Sequence, residues 1–141
     1  MKSTPVTLSD RQGVIAVPPL CRDASGNFDW QQNGRMVAHL RAGGVTRLMY
    51  GGNAFLYHLT LAEYEQMLAW LTTLDDGLWC IPAAGPSFGR LMDQAPLLRK
   101  YRFPAVMALP CADPRDAKGL EDGLRRFSDA AETPLIVYVK E

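Results

Sequence analysis

The sequence is poor in the residues that build disulfide frameworks, metal sites and membrane spans. Its 141 residues contain three cysteines and two histidines, widely separated and without a C-x-x-C pair. This spacing supports neither a disulfide scaffold nor a zinc site, so we expect reduced thiols and no bound metal. No apolar run approaches the roughly 20 residues of a membrane span, and the first residues lack the apolar stretch of a secretory signal. We therefore expect a cytoplasmic protein.

The chain also has no excess of positive or negative charge. The chain has 15 basic and 15 acidic residues, and the two signs are interleaved along it. This balance gives no electrostatic reason to expect nucleic acid or a membrane as the partner, and it leaves small molecules open. With 48% hydrophobic residues, the chain has enough apolar surface to bury the core of one globular domain.

Short apolar runs recur along the chain at intervals of roughly 30 residues, the length of a strand plus a crossover helix. They occupy residues 14–17, 47–50, 79–83, 105–109 and 135–139. Continuous hydrophobicity, as opposed to alternation, is typical of strands that are buried on both faces of a parallel sheet. The pattern predicts an α/β fold with the order β-α-β-α-β-α-β-α-β.

Amphipathic segments between these runs predict four helices. We place them over residues 30–41, from residue 60 to about 75, over 87–101 and over 116–131. Asp29 is the expected N-cap of the first helix, and the pair Thr60 and Glu63 has the spacing of a capping box. Pro96 lacks the backbone N–H that a helix interior needs, so we expect a kink or two short helices there.

The loops help to choose between parallel architectures. Periodicity alone fits an open doubly wound sheet or part of a closed (β/α) barrel. The turn after the first run contains Pro18 and Pro19, which offer no N–H groups to a phosphate. This disfavours an open flavodoxin-like domain that binds a small ligand, although that interpretation stays open.

Six segments, taken in order, match the motifs of one enzyme family. They are GVIAVPPL at residues 13–20, SGNFD at 25–29, GVTRLMYG at 44–51, LTLAEY at 59–64, IPAAG at 81–85 and LIVY at 135–138. Together they resemble the N-terminal part of the dihydrodipicolinate synthase and N-acetylneuraminate lyase family of pyruvate-dependent aldolases. The resemblance implies that residues 1–141 form the first five β/α units of a (β/α)8 TIM barrel, with the remainder of the barrel absent from this chain.

The resemblance also implies an activity and its residues. Family members are lyases of the class I aldolase type, in which a lysine on the sixth strand forms a Schiff base with pyruvate or a related 2-oxo acid. They need no cofactor. Because family members form tetramers, the resemblance implies that this protein is a homo-oligomer. The lysine is expected beyond residue 141, because Lys140 does not match its position. Tyr138 corresponds to the tyrosine that moves protons at the imine, and Gly52 and Asn53 lie in the loop that holds the keto-acid carboxylate.

Two motifs depart from the family pattern. GGNAF at residues 51–55 replaces G-T-T-G-E, so Gly52 and Asn53 either hold a carboxylate through backbone N–H groups and the amide or simply form a tight turn. PCA at residues 110–112 replaces P-Y-Y, which argues against dihydrodipicolinate synthase activity itself. The alternative function is that of a non-catalytic, diverged or truncated half barrel that binds a keto acid or serves as a structural module.

Other candidate residues have structural alternatives. Tyr138 can instead fill a barrel core, and Cys111 can be a small buried residue in place of a reactive thiol. His58 is placed in a loop that can face substrate or solvent, and His39 is expected to be structural. A half barrel on its own leaves unpaired edges and an exposed apolar inner face, so we expect the free chain to self-associate or to be poorly stable.

Overall fold

Helices and strands alternate along the chain. The computed structural model describes residues 1–52, 54–109 and 116–139. In chain order, the main elements are α1 (Trp30–Ala42), β1 (Arg47–Tyr50), α2 (Leu61–Thr72), β2 (Trp79–Ala84), α3 (Phe88–Tyr101), β3 (Val106–Ala108), α4 (Ala117–Ala131) and β4 (Leu135–Val137). Two short 3-10 helices, Ser9–Arg11 and Ala54–His58, complete the set.

The four strands form one parallel sheet in the order β1-β2-β3-β4. Met49 of β1 pairs with Ile81 of β2, and Met107 of β3 pairs with Ile136 of β4. Each crossover between neighbouring strands contains one helix, so all four strands point the same way. The prediction of an α/β fold with a parallel sheet is confirmed.

The first predicted strand, at residues 14–17, is reduced to an isolated parallel bridge between Ala16 and Leu48. The N–H of Ala16 donates to the Arg47 carbonyl at 3.0 Å, and its carbonyl accepts from the Met49 N–H at 2.8 Å. Two prolines follow at positions 18 and 19, and a residue without an N–H cannot continue the ladder. The described residues therefore contain four strands where the sequence predicts five.

The core lies on both faces of the central strands. All six residues of β2 and all three of β3 are buried. The helices contribute apolar stripes, and the buried side chains on them are Val37, Tyr64, Met67, Leu68, Leu71, Leu91, Ala95, Leu98, Phe127 and Ala131. Within the described part of the chain, no helix has the length and apolar character needed to cross a membrane.

Helix ends follow the predicted caps. The Asp29 side chain accepts from the Gln32 N–H, and Thr60 and Glu63 form both hydrogen bonds of a capping box. Of the two alternatives expected at Pro96, two short helices are ruled out, because α3 is a single helix from Phe88 to Tyr101. Pro96 is exposed while its neighbour Ala95 is buried, so packing of the helix against the core offsets the missing hydrogen bond.

The pH dependence of stability gives a test of this capping box. Glu63 Oε2 accepts from the Thr60 N–H at 2.9 Å, and Oε1 lies 2.6 Å from Arg22 Nη1. These contacts hold the pKa of Glu63 below its usual value of 4.5, with the Thr60 backbone contributing most. A carboxylate with a lowered pKa in the folded state stabilises above its unfolded pKa, and this stabilisation is lost as the pH falls.

We therefore expect Glu63→Gln to lower the free energy of unfolding at pH 7 by about 0.5 to 1 kcal/mol. The difference from the parent chain should shrink from about pH 4.5 downwards, as the carboxylate becomes protonated. Urea unfolding at several pH values measures both. A difference that stays constant from neutral to acid pH would contradict the role of the charge.

The N-terminal segment runs along the amino-terminal edge of the sheet. The Lys2 N–H donates to the carbonyl of Leu78, just before β2, at 2.7 Å. The Arg47 guanidinium at the start of β1 donates to the Asp10 carbonyl at 2.5 Å. An ion pair between Lys2 and Asp10 closes this segment on itself and holds the pKa of the Asp10 carboxyl below its usual range. The loops that follow the strands lie at the opposite, carboxyl-terminal edge of the sheet.

Candidate functional site

Three side chains on one face of the sheet lie close to Gly52. A Cβ atom on Gly52 would lie 3.1 Å from Val17 Cγ1, 3.2 Å from Met49 Sδ and 3.6 Å from Met107 Cε. These residues come from the first bridge segment, β1 and β3, so their side chains share a face. We call this the inner face. Paired residues in a parallel sheet point the same way, so Ile81 and Ile136 belong to it as well.

Tyr138 lies on the inner side at the carboxyl end of β4. Its N–H donates to the Ala108 carbonyl at 3.0 Å, which extends the pairing of β3 and β4 by one step. It stands two residues after Ile136, and the two-residue period of a strand places both on the same face. Its side chain is 47% exposed, which is too open for a core residue. The phenol is therefore accessible to a ligand at this edge.

The loop after β1 contains the other predicted binding residues. Gly52 is half-buried, and Asn53 lies outside the described residues. Gly51, which precedes them, has φ 102°, and a Cβ there would lie 2.9 Å from that of Ala83. A glycine is thus required where β1 turns sharply away beside β2. The loop reaches the same edge of the sheet as Tyr138, with β2 and β3 between them.

A buried amide behind this edge was missed at the sequence level. Gln94 of α3 is fully buried, and its Oε1 accepts from the N–H of Gly85, the residue that follows β2, at 2.9 Å. Its Nε2 has no hydrogen-bond partner among the residues that the structure describes. A polar residue between Leu91 and Ala95 on the apolar stripe of a helix was the available signal, because such groups are buried only with a partner.

Tyr64 supports the same strand from α2. Its hydroxyl, fully buried, donates to the Ala83 carbonyl at 2.9 Å. Burial holds the pKa of this hydroxyl above its usual range, so it stays protonated and remains a donor. Gln94 and Tyr64 thus fix the carboxyl end of β2 from two different helices.

The structure describes only some of the remaining candidate residues. His39 and His58 are both exposed. Cys80 is buried on β2, where burial raises the pKa of its thiol to about 12 and makes it a poor nucleophile. Cys111 and Lys140 lie outside the described residues. Among the residues that the structure does describe, no group of three potential ligands is placed to hold a metal ion.

The sequence and the structure were compared with known proteins. No family model and no curated protein matches the sequence. Solved structures do match: a dihydrodipicolinate synthase from Oceanobacillus iheyensis (TM-score 0.70, 20% identity) and an N-acetylneuraminate lyase from Fusobacterium nucleatum (TM-score 0.79, 13% identity). The fold is that of the N-terminal part of these enzymes. The resemblance seen in the sequence is thereby confirmed in the fold.

A third similar structure is a prophage protein of the dihydrodipicolinic acid synthase family from E. coli K12, in complex with pyruvate (TM-score 0.77, 15% identity). The match covers 84–89% of this chain and 41–45% of the other three chains. The chain therefore spans less than half the length of the structures it matches. At these identities the similarity establishes the fold, and the activity is a separate question.

Proposed function

We propose that residues 1–141 are the N-terminal portion of a (β/α)8 barrel lyase that acts on pyruvate or a related 2-oxo acid through a Schiff base. The imine-forming lysine lies outside residues 1–141. The observation that carries the proposal is the placement of Tyr138. It directly follows β4 at the carboxyl edge, on the inner face and accessible, which is where barrel enzymes hold their reacting groups. Pyruvate in one structure of similar fold supports the substrate class.

The proposed roles follow from the chemistry of an imine. A protonated imine withdraws electrons from the neighbouring carbon, so a C–H bond there is broken when a nearby group accepts the proton. We assign this transfer to Tyr138 as a proton relay: its oxygen accepts the proton from carbon while its own hydroxyl proton passes to solvent water. Gly52 and Asn53 are assigned to the substrate carboxylate, for which backbone N–H groups at a glycine turn are suitable donors. No cofactor is required by this chemistry.

Trapping with borohydride tests the proposal. The purified protein is incubated with pyruvate and borohydride, and its intact mass is measured. We expect one stable pyruvate adduct, because borohydride reduces an imine to an amine that no longer hydrolyses. Lactate is the matched control, since it keeps the carboxylate but lacks the carbonyl that forms an imine.

Peptide mapping of the adduct then locates the lysine. Modification of a lysine outside residues 1–141 supports the proposal in full. Modification of Lys140 would contradict the placement of the imine, and no adduct would contradict Schiff-base chemistry altogether.

A second function is favoured by the two altered loops. Residues 51–55 lack both hydroxyls of the family motif, and residues 110–112 lack its tyrosines. A half barrel that binds a keto acid without turning it over, or serves as a structural module, fits these losses. Pyruvate that binds without forming an adduct would favour this alternative.

We also propose that the protein is a homo-oligomer. The exposed apolar side chains include several on or next to the outer segments of the sheet: Val14, Val17, Val137 and Val139. The first pair lies beside β1 and the second pair at β4, so both outer segments of the sheet carry exposed apolar groups, which further chain or a partner normally covers. Sedimentation equilibrium of the purified protein measures the number of subunits.

A further inference from the structure

A groove of about 630 Å³ lies at the amino-terminal edge of the sheet, on the side opposite to Tyr138. Its walls are the residues that precede β3 and β4, the C-terminal ends of α3 and α4, and part of the N-terminal segment. We call it the amino-edge groove. Because it lies at the other edge from the loops after the strands, a ligand there would not touch the proposed lyase site.

The charge of the groove differs from that of the whole chain, whose net charge is zero. Three lining residues, Arg99, Lys100 and Arg102, are cationic and only Glu132 is anionic. They gather there because α3 ends at this edge, and basic residues in a last turn are stabilised by the carbonyl end of the helix. The local imbalance favours an anionic ligand.

The three cations differ in how far they are already neutralised. Lys100 Nζ lies 2.7 Å from Glu65 Oε1, so its charge is engaged on the side of α2. Arg99 Nη1 is 3.6 Å from Glu132 Oε1, and both side chains are more than half exposed, which makes this pair weak. Arg102 is exposed and forms no ion pair with the residues that the structure describes.

Two residues of the groove are held in an unfavourable backbone conformation. Arg102 and Glu132 are the C-caps of α3 and α4 and have φ values of 53° and 50°. Glycine is the usual residue at such a left-handed cap, and a residue with a Cβ costs about 1 kcal/mol more. The strained backbone therefore belongs to the two residues whose oppositely charged side chains line the groove. Residues with strained backbones are concentrated at binding sites.

Apart from Ser3 and Thr133, the rest of the lining is apolar. Phe103 and Pro104 are buried at the base, while Pro5, Pro96 and Pro134 are exposed at the sides. Proline has a fixed φ and no N–H, so these walls offer flat apolar contacts and few donors. The ligand should consequently combine one anionic group with a flat apolar body.

We propose that the amino-edge groove binds a small organic anion, a carboxylate or phosphate ester with a ring or a similar flat apolar part. The anion contacts the guanidinium groups of Arg102 and Arg99 and displaces Glu132 from Arg99. The apolar part lies on Phe103 and the prolines. This proposal is independent of the proposed lyase function, because it concerns the opposite edge and its test does not use turnover.

Titration with phenyl phosphate tests the proposal, followed by the NMR shifts of backbone amides. We expect saturable shifts at Phe103 and Thr133, and affinity that weakens with added salt. Arg102→Gln should weaken binding about tenfold, the value of one charge-assisted hydrogen bond. Glu132→Gln should strengthen it, because it removes the carboxylate that competes for Arg99. Arg35→Gln, at an exposed arginine on α1, should leave it unchanged.

Simpler ligands separate the two parts of the site. Phenol keeps the ring and inorganic phosphate keeps the anion, so each should bind more weakly than phenyl phosphate. Arg99→Gln provides a second variant at a helical position without backbone strain. Binding that is unaffected by both arginine variants, or that is weakened by Glu132→Gln, would overturn the proposal. Thermal unfolding of each variant confirms that the fold is retained.

Discussion

Tyr138→Phe is expected to slow proton exchange at the methyl group of pyruvate by roughly 10²- to 10⁴-fold, the usual contribution of a positioned acid–base group. The exchange is measured in deuterated water, as the loss of the methyl signal in proton NMR. It requires only pyruvate, so it does not depend on the identity of the physiological substrate. The protein used is the one that forms the borohydride-trapped adduct.

The change removes one oxygen atom and leaves the ring. Tyr138 follows the last residue of β4 and is about half exposed, so its hydroxyl supports no buried contact. We therefore expect the fold and the formation of the adduct to persist while the proton transfer slows. This separation identifies the hydroxyl as the relay, because a merely structural residue would affect both measurements.

Tyr101→Phe is the matched control. It removes the same atom at the end of α3, where the hydroxyl lies 3.4 Å from Glu65 Oε1 and far along the helix from the carboxyl edge. Exchange should be unchanged in this variant. Equal exchange rates in the parent chain and in Tyr138→Phe would remove Tyr138 from the mechanism, even if the adduct forms.

Gly85→Ala is expected to lower the free energy of unfolding by at least about 3 kcal/mol, a large share of the usual total of about 5 to 15 kcal/mol. Gly85 has φ 112°, a backbone conformation that residues with a side chain rarely adopt. A Cβ at this position would also overlap the carbonyl oxygen of Leu109, which is backbone and cannot move aside easily. Both penalties act at once.

The position matters for the site as well. The Gly85 N–H donates to the buried Gln94 side chain, and the Leu109 N–H donates to the Ala84 carbonyl at 2.9 Å. A shift of Gly85 would therefore disturb the carboxyl ends of β2 and β3 together. Urea unfolding followed by circular dichroism gives the change in stability.

Gly89→Ala provides the control, only four residues away. Gly89 is the second residue of α3, and a Cβ there would have no neighbour within 4 Å. Alanine is a better helix former, so this variant should be more stable by about 0.5 to 1 kcal/mol. Opposite signs for the two alanine variants would show that the cost at position 85 comes from its backbone conformation and the overlap with Leu109, and not from alanine itself. A loss below about 1 kcal/mol for Gly85→Ala would show that the turn adapts.

Local sequence signals were sufficient for the elements of the fold. The apolar run at 47–50 is β1 with the same bounds, and the caps at Asp29 and Thr60 begin α1 and α2 as predicted. These features depend on side chains within a few residues of each other, so their physics is visible in the sequence. The same is true of the parallel sheet, because burial on both faces leaves an unbroken apolar run.

Features that depend on distant residues were not visible. For example, α3 passes through Pro96 without splitting because its apolar side is buried in the core. Asn33 is a further case. It looks like an ordinary helix residue, yet it is fully buried and makes two hydrogen bonds with the backbone of Cys21, at 2.9 and 3.0 Å.

The sequence alone therefore determined the class of the fold, the order of its elements and the residues that follow each strand. Only the tertiary structure decided how those residues are combined. Strand pairing brings Tyr138 and Gly52 to one edge, and the buried Gln94 amide holds the Gly85 turn beside them. The ends of α3 and α4 meet at the other edge and form a basic groove. Side chains far apart in the chain have no common pattern in the sequence, because their contacts exist only once the sheet has formed.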